Sequence, residues 1–163
     1  MTIAPKILAI YIAPKAGAAM VALPSVELTP NGIKGDRYEN GTGAYSQTMP
    51  SKIRHVSLIS EEGIAAANEW LAAVNEPTFT ASQTRRNIVI THFSAKELNQ
   101  LLGKTFLLGQ TLLKGVELCA PCQRPAQLIH KTRFIDAFEN RGGLRAEVLS
   151  AGAIHAGDTL KEC

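Results

Sequence analysis

The chemistry of this chain concentrates in three short segments. The first is Cys119-Ala120-Pro121-Cys122-Gln123-Arg124. A structural zinc site would need two further ligands at compatible spacing, and His130 and His155 do not form an obvious second pair. A thioredoxin-like pair opens a helix after a strand, but Pro121 between the cysteines and Pro125 beyond them oppose a long helix there. Two readings remain. One is a reactive thiolate on a loop, its pKa lowered by Arg124 and able to ligate a thiophilic metal. The other is a pair of buried, apolar cysteines.

The second segment is Thr84-Arg85-Arg86-Asn87, at the head of a β-branched run. A guanidinium here offers a phosphate two parallel hydrogen bonds, and Asn87 can fix a polar edge. Neighbours on a regular strand point to opposite faces, so only one arginine reaches a given pocket if the strand has already begun. A charged, solvated strand start accounts for the same residues. The third segment is Gly32-Ile33-Lys34-Gly35-Asp36-Arg37-Tyr38. Its glycines allow a sharp turn and close approach to a ligand, and Lys34 and Arg37 offer donors to an anion. A plain surface turn is the competing interpretation. None of the four histidines has an evident partner, and no serine-nucleophile, phosphate-loop or dinucleotide motif occurs.

Elements that must position these segments follow from pattern and punctuation. Ile7 to Ile12 and Met20 to Leu28 read as strands, and residues 29–50, rich in Gly and Pro, as a long functional or mobile loop. Arg54 to Ile59 reads as a strand. Ser60 is placed to cap a helix that runs to about Ala73, with Glu61 and Glu62 in its first turn. Arg86 to Thr91 is a strand by β-branched content, and Ser94-Ala95-Lys96-Glu97 is a capping box. Gly109-Gln110 turns Thr105–Leu108 into Thr111–Leu118, which delivers Cys119 to the end of a hairpin. A helix over Thr132 to Asn140 and strands Leu144–Leu149 and Thr159–Lys161 complete the chain.

The 163 residues suit a single domain, 1–163, with a core that needs no disulfides. A formal charge of +3 and 6% aromatics argue against a nucleic-acid partner. No apolar run reaches the roughly 20 residues of a bilayer span. Lys6 alone precedes the apolar start, and Pro14-Lys15 interrupts it, so a first strand is expected rather than a leader. Three cysteines make no closed disulfide set, which places the chain in a reducing compartment, the cytoplasm. Thirteen Gly, eight Pro and many short strands predict a mostly β fold with a few short helices, barrel-like in form.

Taken in order, six pieces resemble a MOSC domain: Gly35-Asp36-Arg37-Tyr38, His55-Val56-Ser57-Leu58-Ile59-Ser60, Arg85-Arg86-Asn87-Ile88-Val89, Leu102 to Gly109, Cys119-Ala120-Pro121-Cys122, and Gly152 to Asp158. The resemblance runs from about Ile7 to Leu160 and points to the small stand-alone type. It implies a barrel-like, strand-rich fold and a pterin-based molybdenum cofactor (molybdopterin). Members of that family sulfurate the cofactor or use molybdenum to reduce N-hydroxylated compounds. Carried over, Cys122 is the first candidate for the metal-binding or sulfur-carrying thiol and Cys119 the second. Lys34, Arg37, Arg85, Arg86, Asn87 and Arg124 would hold the phosphate and pterin. The longer members' desulfurase domain and extra barrel have no counterpart here, so a separate sulfur or electron donor protein is expected. A non-catalytic sulfur or cofactor carrier, and a metal-free thiol-redox domain with a Cys119–Cys122 disulfide, are the alternatives.

Overall fold

Ile7 and Ile10 are both buried although they lie three positions apart, an odd spacing for one face of a strand. A bulge between Ile7 and Ala9 shifts the register of the first strand and turns both side chains inward. This strand, β1 (Lys6–Ile12), begins the computed structural model, which describes residues 3–49, 51–121 and 133–163. The other strands are β2 (Val21–Leu23), β3 (Ser25–Thr29), β4 (Gly32–Ile33), β5 (Val56–Ser60), β6 (Ile88–Thr91), β7 (Thr105–Leu108), β8 (Thr111–Leu118), β9 (Leu144–Ser150), β10 (Gly152–His155) and β11 (Leu160–Glu162). The helices are α1 (Arg37–Asn40), α2 (Glu61–Ala73), α3 (Ala95–Asn99) and α4 (Phe134–Ala137), so the fold is mostly β with a few short helices.

Eight strands form one sheet in the order β11-β7-β8-β9-β5-β6-β1-β2, and β10-β3-β4 form a second. The expected barrel is corrected to two open sheets. Between Ile7 and Ile12, β1 gives its hydrogen bonds to β6 and β2. Only its first residues are left for the turn before β11, through the Lys6–Thr159 bridge and the Ile7 N–H bond to Asp158 O at 2.8 Å. That contact ties the ends together without a continuous ladder.

The single strand expected over Met20–Leu28 is two. Pro24 has no N–H to give to a ladder, and the chain changes sheets there: β2 pairs with β1, while β3 pairs with β10 and β4. The 29–50 segment is more ordered than a plain loop, because it contributes β4 and α1. Strand β10 was not anticipated; its Gly152-Ala153-Ile154-His155 lacks the apolar alternation that marks a strand. The helix expected over Thr132–Asn140 is the single turn α4 among the described residues.

Parallel β5 and β6 are joined by α2, as parallel strands require a crossover. Ser60 caps α2 by accepting from Gly63 N–H at 3.0 Å, and Ile64, Ala67 and Leu71 form its buried stripe. Ser94 and Glu97 make the expected capping box on α3. One core cluster fills the space between the sheets; a second lies under α2, where Phe79, Phe134 and Phe138 meet with ring centroids 4.5–5.8 Å apart. This aromatic cluster fixes α4 and so sets where Gly142-Gly143 returns to the sheet.

Candidate active site

The starts of β5 and β6, the end of β8 and the start of β9 lie side by side in the large sheet. Their flanking residues, with α1 and the segment before β5, enclose about 90 Å³. Arg37, Arg54, Arg85, Arg86, Arg145, Asn87 and Cys119 all face this cavity, with Tyr38, Tyr45 and Ser57. The structure thus gathers five of the sequence-derived residues: Arg37, Arg85, Arg86, Asn87 and Cys119. Lys34 lies apart, exposed on the surface with its ammonium 3.8 Å from Glu27. Cys122 and Arg124 lie outside the described residues.

Arg85 and Arg86 share the cavity because the strand has not yet begun. Regular pairing starts at Ile88, and Arg85 holds φ at +61°, a left-handed conformation that breaks strand alternation. Arg85 Nη1 donates to Ala18 O at 2.8 Å and Arg86 Nε to Gly142 O at 2.6 Å. Asn87 is committed at both ends of its amide. Its Oδ1 accepts from Ser57 N–H and Oγ, each at 3.1 Å, and its Nδ2 donates to Tyr11 O at 3.0 Å. It locks β1 and β5 together beneath the arginines.

Cys119 sits where β8 ends. Its N–H donates to Gly143 O at 2.8 Å, and its carbonyl presses on the position a Gly142 side chain would occupy. The glycine pair is therefore a close-approach device. The thiol is free and only 4% exposed, at the wall of a cavity that carries five guanidinium groups. Two carboxylates answer them among the described residues. Asp36, fully buried, accepts from Arg37 at 3.1 Å. Glu117, directly opposite Arg145 in the β8–β9 ladder, accepts from it at 2.9 Å and from Lys52 at 3.2 Å. Burial alone would raise the Glu117 pKa; the Lys52 hydrogen bond and the Arg145 charge outweigh it and hold the group below the usual carboxylate range.

Arg54 and Arg145 were not anticipated. Arg54 reads as the polar first residue of a strand, and Arg145 occupies an ordinary outward position between Leu144 and Ala146. Only the fold shows that both turn to this cavity. The Arg54 guanidinium lies 4.9 Å from the Tyr45 ring centroid and 5.8 Å from that of Tyr38. Its Nε is buried and has no hydrogen-bond partner among the described residues, an N–H without an acceptor there. Just outside, His55 Nδ1 accepts the Val148 N–H at 3.1 Å. Burial lowers the His55 pKa, with Glu147 opposing, so the ring is the neutral acceptor this bond requires.

A family model described as the MOSC domain matches residues 46–161. The chain belongs to the MOSC domain family. The YuaD protein from Bacillus subtilis superposes on this MOSC domain with a TM-score of 0.74 and 20% identity, over 97% of this chain and 94% of YuaD. YiiM from Geobacillus stearothermophilus gives 0.71 and 16%, over 98% and 75% of the two chains. YiiM from Escherichia coli gives 0.66 and 17%, over 97% and 69%. At these identities the likeness establishes a shared fold. With 97–98% of the chain covered, it also extends over most of the 45 residues that precede the family match. No curated protein sequence matches the chain.

The donor set fits a molybdenum-pterin cofactor in kind. Its phosphate needs cationic forks, and the cavity presents several, with the buried Arg54 Nε unanswered among the described residues. Its metal takes a thiolate, and a cysteine pair begins at the wall. The enclosed space is well short of the roughly 300–1,000 Å³ of a pocket that engulfs a drug-sized ligand, so it suits the charged end of such a ligand.

Proposed function

We propose that this MOSC domain binds a molybdenum-pterin cofactor, with the arginine cavity holding its anionic end and the Cys119–Cys122 segment supplying the thiolate. One observation carries this: five guanidinium groups from four separate parts of the chain converge on a cavity that has a cysteine in its wall. A charge cluster of this kind repels itself in the empty protein and is useful when an anion is bound.

When bound, the cofactor supplies redox chemistry at molybdenum, suited to reducing an N–O bond, or a sulfur for transfer. The protein's own part is to grip and orient. Arg54 and Arg86 take phosphate oxygens, and Tyr38 and Tyr45 flank the Arg54 fork and shield it from water. Cys119 at 4% exposure packs as part of the wall, which favours Cys122 as the metal-binding or sulfur-carrying thiol. Electrons or sulfur would come from a separate donor protein. No helix among the described residues is long and apolar enough to cross a membrane, and a cytoplasmic site of action suits the free thiols.

The test is molybdenum and pterin content of protein made in a host that synthesises the cofactor. Both are expected in the wild type, lost in Cys122→Ala and largely kept in Cys119→Ala. A persulfide on Cys122 without turnover of N-hydroxylated substrates would instead identify a sulfur carrier. A Cys119–Cys122 disulfide with neither metal nor pterin would overturn the reading in favour of a thiol-redox domain.

A further inference from the structure

A second concavity adjoins the arginine cavity and differs from it in chemistry. This groove encloses about 340 Å³ and shares Tyr38, Tyr45 and Arg54 with the cavity as walls. The cavity, at about 90 Å³, admits only one end of an organic ligand, whereas the groove has the volume of a small-molecule pocket. Concavities beside Lys114 and Glu147, beside Thr111 and His155, and beside Asn99 and Arg141 share no wall with the cavity. Glu39, Asn40, Lys52 and His55 line the groove on the side away from the cavity arginines. The Glu39 carboxylate forms no ion pair with any described residue. The Lys52 ammonium is already 3.2 Å from Glu117. Asn40 Nδ2 donates to Pro14 O and Gly35 O, each at 3.3 Å, which leaves its Oδ1 as an acceptor. His55 Nδ1 accepts the Val148 N–H, so the neutral ring carries its hydrogen on Nε2, as a donor.

Tyr38 and Tyr45 give the groove an aromatic side. The turn that carries Tyr45 is rooted at Thr42, whose Oγ1 donates to Pro14 O at 2.9 Å and whose N–H donates to Arg37 O at 2.8 Å. Above that root the turn closes on itself, with Gly43 N–H on Ser46 Oγ at 2.8 Å and Thr48 N–H on Tyr45 O at 3.1 Å. A Cβ at Gly43 would run into the Tyr38 ring, so that ring is packed against backbone. Tyr45 is 41% exposed, which leaves ring surface for a ligand although Arg54 lies 4.9 Å from its centroid. We infer that this groove is a subsite for the body of the substrate whose reacting end lies in the arginine cavity, and that it takes a planar, uncharged aromatic group carrying an amide-type donor and acceptor. This rests on the reaction centre described under Proposed function. Charge is selected against from both sides: Glu39 opposes an anionic body and Arg54 a cationic one. The ligand's N–H groups suit Glu39, its acceptor suits His55 Nε2–H, and its ring stacks on Tyr45. Exposed walls suit a molecule that enters and leaves at each turnover.

Ligand-observed NMR titration of the full chain with benzamide, and with cyclohexanecarboxamide as its non-planar counterpart, tests this. Benzamide is expected to bind the more tightly, by roughly three- to tenfold, the worth of one aromatic pair. Tyr45→Leu should erase that difference, and Glu39→Gln should weaken benzamide by a similar factor through the loss of a charged acceptor. Excess inorganic phosphate should leave benzamide bound. Equal binding of the two amides, no effect of either variant, or displacement by phosphate would each overturn the inference. If Tyr45→Leu does not fold, as judged by thermal unfolding, Glu39→Gln decides alone. Chain loaded with molybdenum and pterin should still bind benzamide; loss of binding on loading would place the cofactor in the groove and overturn the inference. In that loaded chain, N-phenylhydroxylamine takes two electrons from a reduced viologen dye and two protons, giving aniline and water. Benzamide should inhibit this reduction competitively, and inhibition that is absent or non-competitive overturns the inference. A chain that takes up no molybdenum or pterin yet binds benzamide through Tyr45 and Glu39 would remove the proposed function and leave the groove as a binding site.

Discussion

Replacing Gly142 with alanine tests how Cys119 is placed. A Cβ at Gly142 would run into the Cys119 carbonyl oxygen and approach Pro121 Cδ at 3.3 Å. The first obstacle is backbone in the β8–β9 region, where Cys119 N–H is also bonded to Gly143 O at 2.8 Å, so it cannot swing aside as a side-chain end would. Relief requires Cys119 to leave the cavity wall or the two strand ends to part. Overpacking of this kind costs about 1–3 kcal/mol, and loss of a buried backbone hydrogen bond adds about 1–3 kcal/mol. At about 2–4 °C per kcal/mol for a chain of this size, Tm should fall by roughly 5–20 °C. Gly103→Ala is the control. Gly103 has φ +79° and nothing within 4 Å of its Cβ position, so it carries only left-handed strain, about 1–2 kcal/mol. Thermal and urea unfolding of both variants, with the Cys119 thiol titrated by an aromatic disulfide reagent, should show Gly142→Ala the less stable and its thiol the more reactive. Equal stability of the two variants, with Cys119 as unreactive as in the wild type, would refute the reasoning.

Phe134→Ala should cost about 3–5 kcal/mol by urea unfolding, because its ring is fully buried between Phe79 and Phe138. Glu117→Gln should raise phosphate affinity by roughly three- to tenfold in calorimetry, since it releases Arg145 from a 2.9 Å ion pair worth about 1 kcal/mol. His55 gives a pH signature. Its folded pKa lies below the ordinary 6.5, so its contribution to stability is complete above pH 6.5 and declines as pH falls towards the folded value, where protonation removes the Val148 acceptor. Unfolding free energy measured from pH 7.5 down to 5 should fall more in the wild type than in His55→Gln.

Local signals carried much of the fold. Ser60, Ser94 and Glu97 act through neighbours three residues away, so their caps were legible, and Gly109-Gln110 marks its own hairpin. Pro24 is also a local signal, but its consequence, the transfer of the chain to a second sheet, depends on partners far along the sequence. Open sheets rather than a closed barrel follow from which edge of β1 is already taken, again a long-range matter. For the site, Arg37, Arg85, Arg86 and Cys119 stood out by type and clustering. Arg54 and Arg145 did not, since each looks like a solvent-facing strand residue until the sheet brings β5 and β9 together. Lys34 shares a motif with Arg37 yet points to the surface, because the turn at Gly35 and the Asp36 cap direct only Arg37 inward.

Pterin and molybdenum content of an Arg54→Gln/Arg86→Gln double variant, purified beside the wild type from a cofactor-making host, tests the arginine cavity and the cofactor together. Wild-type protein carrying both, and a folded double variant carrying neither, is the outcome a cofactor gripped through this cavity requires. Wild-type protein free of both, or a double variant loaded as fully as the wild type, would contradict it.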